Sequence, residues 1–238
     1  SIYDVSTFFY ELPGTTTQYV TYAGFVRNHH ENGVETTDAE TTTDLYTTAR
    51  SKVSLQRHAF VFGEQTGNSA VPTTGTATFN GNMIASMVNN PLLDTDPSQS
   101  TYFQWINGTA KVDVNFGTGA ISTALNGLTL TPYRDWTPIL ANTNTGGFTY
   151  DGVYVPAGAT FAAAGTGTID LVQKGGFVGT FSSAGFTWDY GAAKVDIVGS
   201  SLDGAFYGPR AQEIGASFRI VGGTPDERVD IIGSFTGK

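Results

Sequence analysis

Two stretches of period-two alternation constrain this chain more than anything else in it. Within 216–220, Ala216, Phe218 and Ile220 alternate with Ser217 and Arg219. Within 229–236, Val229, Ile231, Gly233 and Phe235 point one way while Asp230, Ser234 and Thr236 point the other. A repeat of two puts one face of a strand in a core and the other in water, and a helix cannot produce it. Between the two stretches, Gly222-Gly223-Thr224-Pro225-Asp226 is a turn by chemistry, because glycine tolerates positive φ and proline fixes it. A chain that runs out on a half-buried strand needs a neighbour for it, so the terminal strand is expected to close a sheet.

The same pattern recurs upstream. Over 76–88, Ala77, Phe79, Gly81, Met83, Ala85 and Met87 form one set, small or apolar throughout, as the inside of a narrow barrel requires. A hairpin is expected over 102–116 and 120–130 around Gly117-Thr118-Gly119, with Val112, Val114 and Phe116 opposite Lys111, Asp113 and Asn115. Strands follow at 149–155, 161–174, 177–190 and 193–202, and 89–100 reads as a loop. With 30 glycines, 13% aromatics and 14% charged residues, the composition favours strands and tight turns over helices. The fold class expected is therefore all-β: an eight-stranded antiparallel up-and-down β-barrel over 74–238, preceded by a small β-rich domain over 1–73.

The opening segment is a different kind of sequence. In 18–27 both alternating sets carry apolar groups, so that strand is covered on both faces or packed on the barrel through one. Residues 35–48 are threonine-rich and acidic. They read first as a solvated edge strand or loop, second as a connector, and third as an oxygen cluster for calcium through Glu35, Asp38, Glu40 and Asp44, without the glycine that calcium loops use for their bend. Residues 50–63 form a strand, with His58 partly buried in it, and 64–75, with Pro72 and two glycines, are the linker.

Charge and motifs narrow the chemistry. Twelve basic residues against 21 acidic ones give a formal charge of −9, which repels phosphate backbones and argues against a nucleic-acid partner. There is no cysteine, hence no disulfide, thiolate metal site or thiol nucleophile. No run of about 18 apolar residues is present to span a bilayer as a helix. P-loop, GxSxG and HExxH motifs are missing, and Asp94 with Asp96, or Asp226 with Glu227, sit in turn-rich stretches as solvating charges; the chain does not read as an enzyme. His29 and His30 follow an aromatic strand and precede Glu31-Asn32-Gly33, which reads as a turn. On such a hairpin tip an imidazole can ligate haem iron or a transition metal, with Tyr22 near enough to stack on a porphyrin, although a histidine in a polar turn is ordinarily just solvated. Tyr133 and Trp136, in the irregular 131–147, are too apolar for an idle loop and cap the barrel or face a partner.

Gly-Ala-Phe-Tyr-Gly-Pro-Arg-Ala-Gln-Glu-Ile-Gly-Ala-Ser-Phe at 204–218, followed by Ile-Gly-Ser-Phe-Thr-Gly-Lys at 232–238, resembles the C-terminal signature of the transferrin-binding-protein-like β-barrel family. The resemblance implies a handle domain before the barrel and a role in capture. Its members are Gram-negative surface lipoproteins that take up host iron and haem carriers and pass the cargo to an outer-membrane TonB-dependent transporter. It also implies a cell outer-membrane or secreted location, with membrane attachment only through a lipidated N-terminal cysteine outside this chain. Because two-lobed members hold transferrin and this chain has room for one lobe, haem, a haem protein or another small metal-bearing solute is the favoured cargo. No cofactor is required, haem entering as cargo. Transferrin, a metallophore, a corrinoid, or an adhesin or structural role without cargo are the alternatives.

Overall fold

The computed structural model describes residues 2–12, 14–37, 46–90, 101–134, 137–138, 155–223 and 228–238. The chain divides into two compact units, one made of Ser1–Phe9 and Gly24–His58, the other of Tyr10–Ala23 and Ala59–Lys238. Two sheets run through them. The first is three-stranded in the order β1 (Ile2–Tyr10), β2 (Val20–Thr37), β3 (Tyr46–Gly63). Contrary to the expected turn at Glu31-Asn32-Gly33, β2 is one strand of 18 residues through that stretch. Pairing along the sheet outweighs the local turn chemistry, since β2 lies between β1 and β3.

The second sheet closes on itself. Its strands are β4 (Thr76–Asn90), β5 (Tyr102–Asn115), β6 (Ala120–Thr129), β7 (Tyr133–Arg134), β8 (Thr137–Pro138), β9 (Thr160–Asp170), β10 (Gly176–Trp188), β11 (Gly191–Lys194), β12 (Ile197–Tyr207), β13 (Glu213–Gly222) and β14 (Arg228–Gly237). Going round the barrel the order is β4, β14, β13, β12, β10, β9, β6, β5 and back to β4, all antiparallel. The terminal strand thus has the two neighbours it was expected to need, β13 and β4. Lys238 finishes the seam, its N–H and C=O exchanging bonds with Asn80 at 3.1 and 3.0 Å. The whole ladder is sequential except where β14 meets β4, which is what joins the two ends of the barrel segment.

Inward positions follow the alternation. Phe79, Met83, Ala85 and Met87 are buried on β4, Ala216, Phe218 and Ile220 on β13, and Val229, Ile231 and Phe235 on β14. Phenylalanine fills the interior: Phe79, Phe177 and Phe116 surround Phe206, Phe218 touches Phe181 and Phe235, and Phe161 touches Phe186. Eight strands leave a bore that side chains just fill, so this barrel is packed solid. Room for the rings comes from glycine on the facing strand. Phe218 pairs with Gly233 and Phe177 with Gly204, and a Cβ on either glycine would strike the ring.

Four expectations are corrected. The stretch 193–202 is not one strand: β11 doubles back on β10, Val195 turns into the core with its N–H on the Ala184 carbonyl, and β12 begins at Ile197. Ser234 and Thr236, expected to meet water, are fully buried, Thr236 donating its hydroxyl to the Glu11 carboxylate. Residues 64–75 are no loose linker. Thr66 bonds Phe206 and Gly208, Gln65 reaches Gly175, Asn68 reaches Leu171, and Val71 enters the core, so the strap ties down one end of the barrel. His58, expected to be partly buried, is exposed. The 222–226 turn beyond Gly223, the 91–100 part of the loop and the 149–155 strand before Val155 lie outside the described residues.

Candidate binding surfaces

His29 stands on the face of the three-stranded sheet that carries Asp4, Phe8, Phe25 and Arg27. Asp4 divides its carboxylate between two partners, Oδ1 with His29 Nδ1 at 2.8 Å and Oδ2 with Arg27 at 2.9 Å. Those two hydrogen bonds, Arg27 first, hold the Asp4 carboxyl below the usual carboxylate range. Beside this group lies an aromatic row. Phe8 is 74% exposed and tilts against Phe25 at 6.1 Å, while Phe25 stacks on His58 at 4.8 Å. A Phe exposed to that extent loses apolar burial that folding would otherwise gain, so the row marks a contact surface. The opposite face is closed at Gly24, where a Cβ would run into the Phe9 ring and the His58 carbonyl oxygen.

His30 follows His29 on a continuous strand, so positions 29 and 30 stand on opposite faces of the sheet. Among the described residues no group of three or more His, Asp or Glu could hold a metal ion. Asp38, Glu40 and Asp44 of the calcium reading lie outside the described residues, and Glu35 is placed at the end of β2.

Tyr22 belongs to the other unit and serves an anchor rather than a tip. Its carbonyl accepts the Glu11 N–H, and its phenol is pushed up to about 12 by burial, with the Glu11 charge adding to the effect. Glu11 is itself buried, its carboxylate taking hydrogen bonds from Thr16, Asn82 and Thr236. A second buried carboxylate, Glu213, accepts the backbone N–H groups of Gln18, Tyr19 and Val20 at 2.6, 2.7 and 3.2 Å. Neither glutamate faces a cation in these bonds; uncharged donors satisfy both. Val20 then packs against Gly215, where a Cβ would collide with it. The 204–218 signature thus has a physical job, since its Glu and its third Gly, Gly215, receive residues 18–20. Sequence reasoning passed over both glutamates because their partners lie up to 225 positions away.

Tyr133 sits elsewhere on the barrel. It pairs with Phe103 across β5 and with Pro138 across β8, so the described residues 133–134 and 137–138 extend the barrel sheet. Asn82 beside Glu11 and Val88 beside Phe103 are six positions apart on β4, about 20 Å along the strand, so Tyr22 and Tyr133 belong to different places. Trp136 lies outside the described residues. Around Tyr133, Phe103 meets Trp105 edge-on at 5.2 Å, and Leu128 and Leu130 are 52% and 41% exposed. The sequence-level site residues therefore fall in three places: His29 on the open sheet, Tyr22 at the anchor, Tyr133 on the barrel wall.

The matching family is described as the C-lobe and N-lobe beta barrels of Tf-binding protein B, over residues 71–238, and the chain belongs to it. Among solved structures, the transferrin binding protein B of Haemophilus parasuis Hp5, a vaccine antigen, is similar in two variants. The double mutant has 18% identity and TM-score 0.42 and covers 98% of this chain and 36% of its own; the single mutant has 17% and 0.42 and covers 96% and 38%. Intact Ap-TbpB, with N and C lobes, has 16% identity and TM-score 0.40, over 98% of this chain and 38% of its own. The chain thus spans well under half the length of these proteins. No curated protein matches it.

Proposed function

We propose that this protein is a surface-displayed bacterial capture protein, without catalytic activity, that holds a host iron-carrying protein and hands its cargo to an outer-membrane transporter. The observation that carries the reading is the exposed aromatic row of Phe8, Phe25 and His58 beside the Asp4–Arg27–His29 group. Rigid rings on a sheet, flanked by a charged network, are the composition of a protein–protein hot spot. Membership of the transferrin-binding-protein B barrel family supports a carrier protein as the class of partner.

Free haem, which the sequence reading favoured, fits this geometry less well. A porphyrin is held in a concave apolar pocket, whereas the bore here is filled by phenylalanine. The Nδ1 atom of His29 is occupied by Asp4. Attachment to the outer surface by a lipid and collaboration with a TonB-dependent transporter belong to the same proposal, resting on the family.

Immobilised protein titrated with iron-loaded transferrin, and separately with haemin while the visible spectrum is recorded, tests it. Saturable transferrin binding weakened by about 10-fold or more in Phe8→Ala is expected. Binding of haemin but not of transferrin, lost in His29→Ala, would overturn it.

A further inference from the structure

Strand β1 leaves one flank open. Among the described residues β2 is its single neighbour. Its register follows from three contacts: Phe8 on Phe25, Asp4 on His29, and the Glu11 N–H on the Tyr22 carbonyl. The residue numbers of each pair add to the same value, which means antiparallel pairing without a bulge from Asp4 onward. Because Glu11 bonds towards β2, the odd positions of β1 do so as well, and the backbone groups of Asp4, Ser6 and Phe8 point away from the sheet.

Among the described residues nothing guards this edge. Soluble proteins protect an open ladder with lysine, proline, a bulge or an unpaired charge, since otherwise another strand adds to it. The β1 sequence IYDVSTFFY has no lysine, proline or glycine, and its single acid is tied to Arg27 and His29. We infer that the open edge of β1 is a strand-addition site whose occupant is β1 of a second copy of this chain, antiparallel about a two-fold axis at Ser6.

The sequence suits that pairing. With Ser6 opposite Ser6 of the second copy, Asp4 stands opposite Phe8 of the second copy. No like charges then face each other, and the outward N–H and C=O groups of Asp4, Ser6 and Phe8 are all matched. An isologous contact of this kind closes after two copies and does not propagate. It joins two three-stranded sheets into one and carries the face bearing Phe8 across the axis. The inference rests on the β1 edge and not on the capture reading.

Sedimentation velocity from micromolar to millimolar protein tests it, alongside Ser6→Pro and the remote surface variant Val198→Lys. Proline at Ser6 deletes an outward N–H and leaves the β1–β2 bonds in place. A reversible dimer is expected, weakened by about tenfold or more in Ser6→Pro and unchanged in Val198→Lys. Hydrogen exchange gives a readout independent of the variant's folding: protection of the Ser6 and Phe8 amides should rise with protein concentration. A monomer throughout, a dimer indifferent to Ser6→Pro, or open-ended assembly would each overturn the inference. So would Ser6 and Phe8 amides that become protected only when iron-loaded transferrin is added, and that result would leave the capture reading standing.

Discussion

Replacing Glu213 tests the junction that attaches residues 18–20 to the barrel. Glu213 is 4% exposed and its carboxylate accepts three backbone N–H bonds, of which the Val20 N–H is buried and those of Gln18 and Tyr19 lie nearer water. In Glu213→Ala the outer two donors recover water and lose about 1 kcal/mol each, while an orphaned buried donor costs about 1–3 kcal/mol. The total, roughly 3–5 kcal/mol, is a large part of a typical domain's stability. Glu213→Gln keeps one acceptor oxygen and turns an amide N–H towards a backbone donor, so it should fall between. Because the chain has two compact units, a single unfolding midpoint is an insecure measure. Native-state hydrogen exchange of the Gln18, Tyr19 and Val20 amides reads the junction directly. Exchange at Val20 should rise on the order of 100-fold in Glu213→Ala, with the Phe218 and Ile220 amides of β13 much less affected. Unchanged exchange at Val20, or equal acceleration throughout the barrel, would refute the reasoning that Glu213 acts as a local clasp.

Three further outcomes follow from the same geometry. Tyr22, with its folded-state pKa raised to about 12, contributes stability that is complete below about pH 10 and lost as pH rises towards 12; a phenolate absorbance titration should lose one late-titrating phenol in Tyr22→Phe. Asp4 has a lowered pKa, so its contribution is present above the ordinary carboxylate range and disappears as pH falls through the depressed value. The carboxyl carbon shift of Asp4 followed by NMR should titrate lower in the native protein than in Arg27→Ala. Gly24→Ala should cost about 1–3 kcal/mol, since its Cβ meets the Phe9 ring and the His58 carbonyl, and urea melts of the double variant Gly24→Ala/Phe9→Ala should recover part of the loss.

Most of the barrel was readable because its signal is local. Alternation over 76–88, 216–220 and 229–236 fixes which residues face inward, and Gly117-Thr118-Gly119 between two alternating runs fixes a hairpin. Where the reading failed, a distant segment had intervened. Ser234 and Thr236 are polar and alternate correctly, yet both are buried, Thr236 against the distant Glu11 carboxylate that accepts its hydroxyl. Residues 31–33 have turn chemistry, yet they stay extended within a strand that has β3 as its other neighbour. The break at Val195 and Asp196 has no marker in the sequence, since it exists to fold β11 back on β10.

The candidate sites divide along the same line. By itself the sequence determined the all-β class, the inward set of each clear strand and, through the 204–218 and 232–238 signature, the family, because period and short motifs need no knowledge of what lies opposite. Only the tertiary structure decided that His29 pairs with Asp4, that His29 and His30 part to opposite faces, and that Tyr22 belongs to an anchor built by Glu11. Each of those outcomes depends on which strand lies alongside, and strand neighbours are set by the closure of the whole sheet and by burial summed over it.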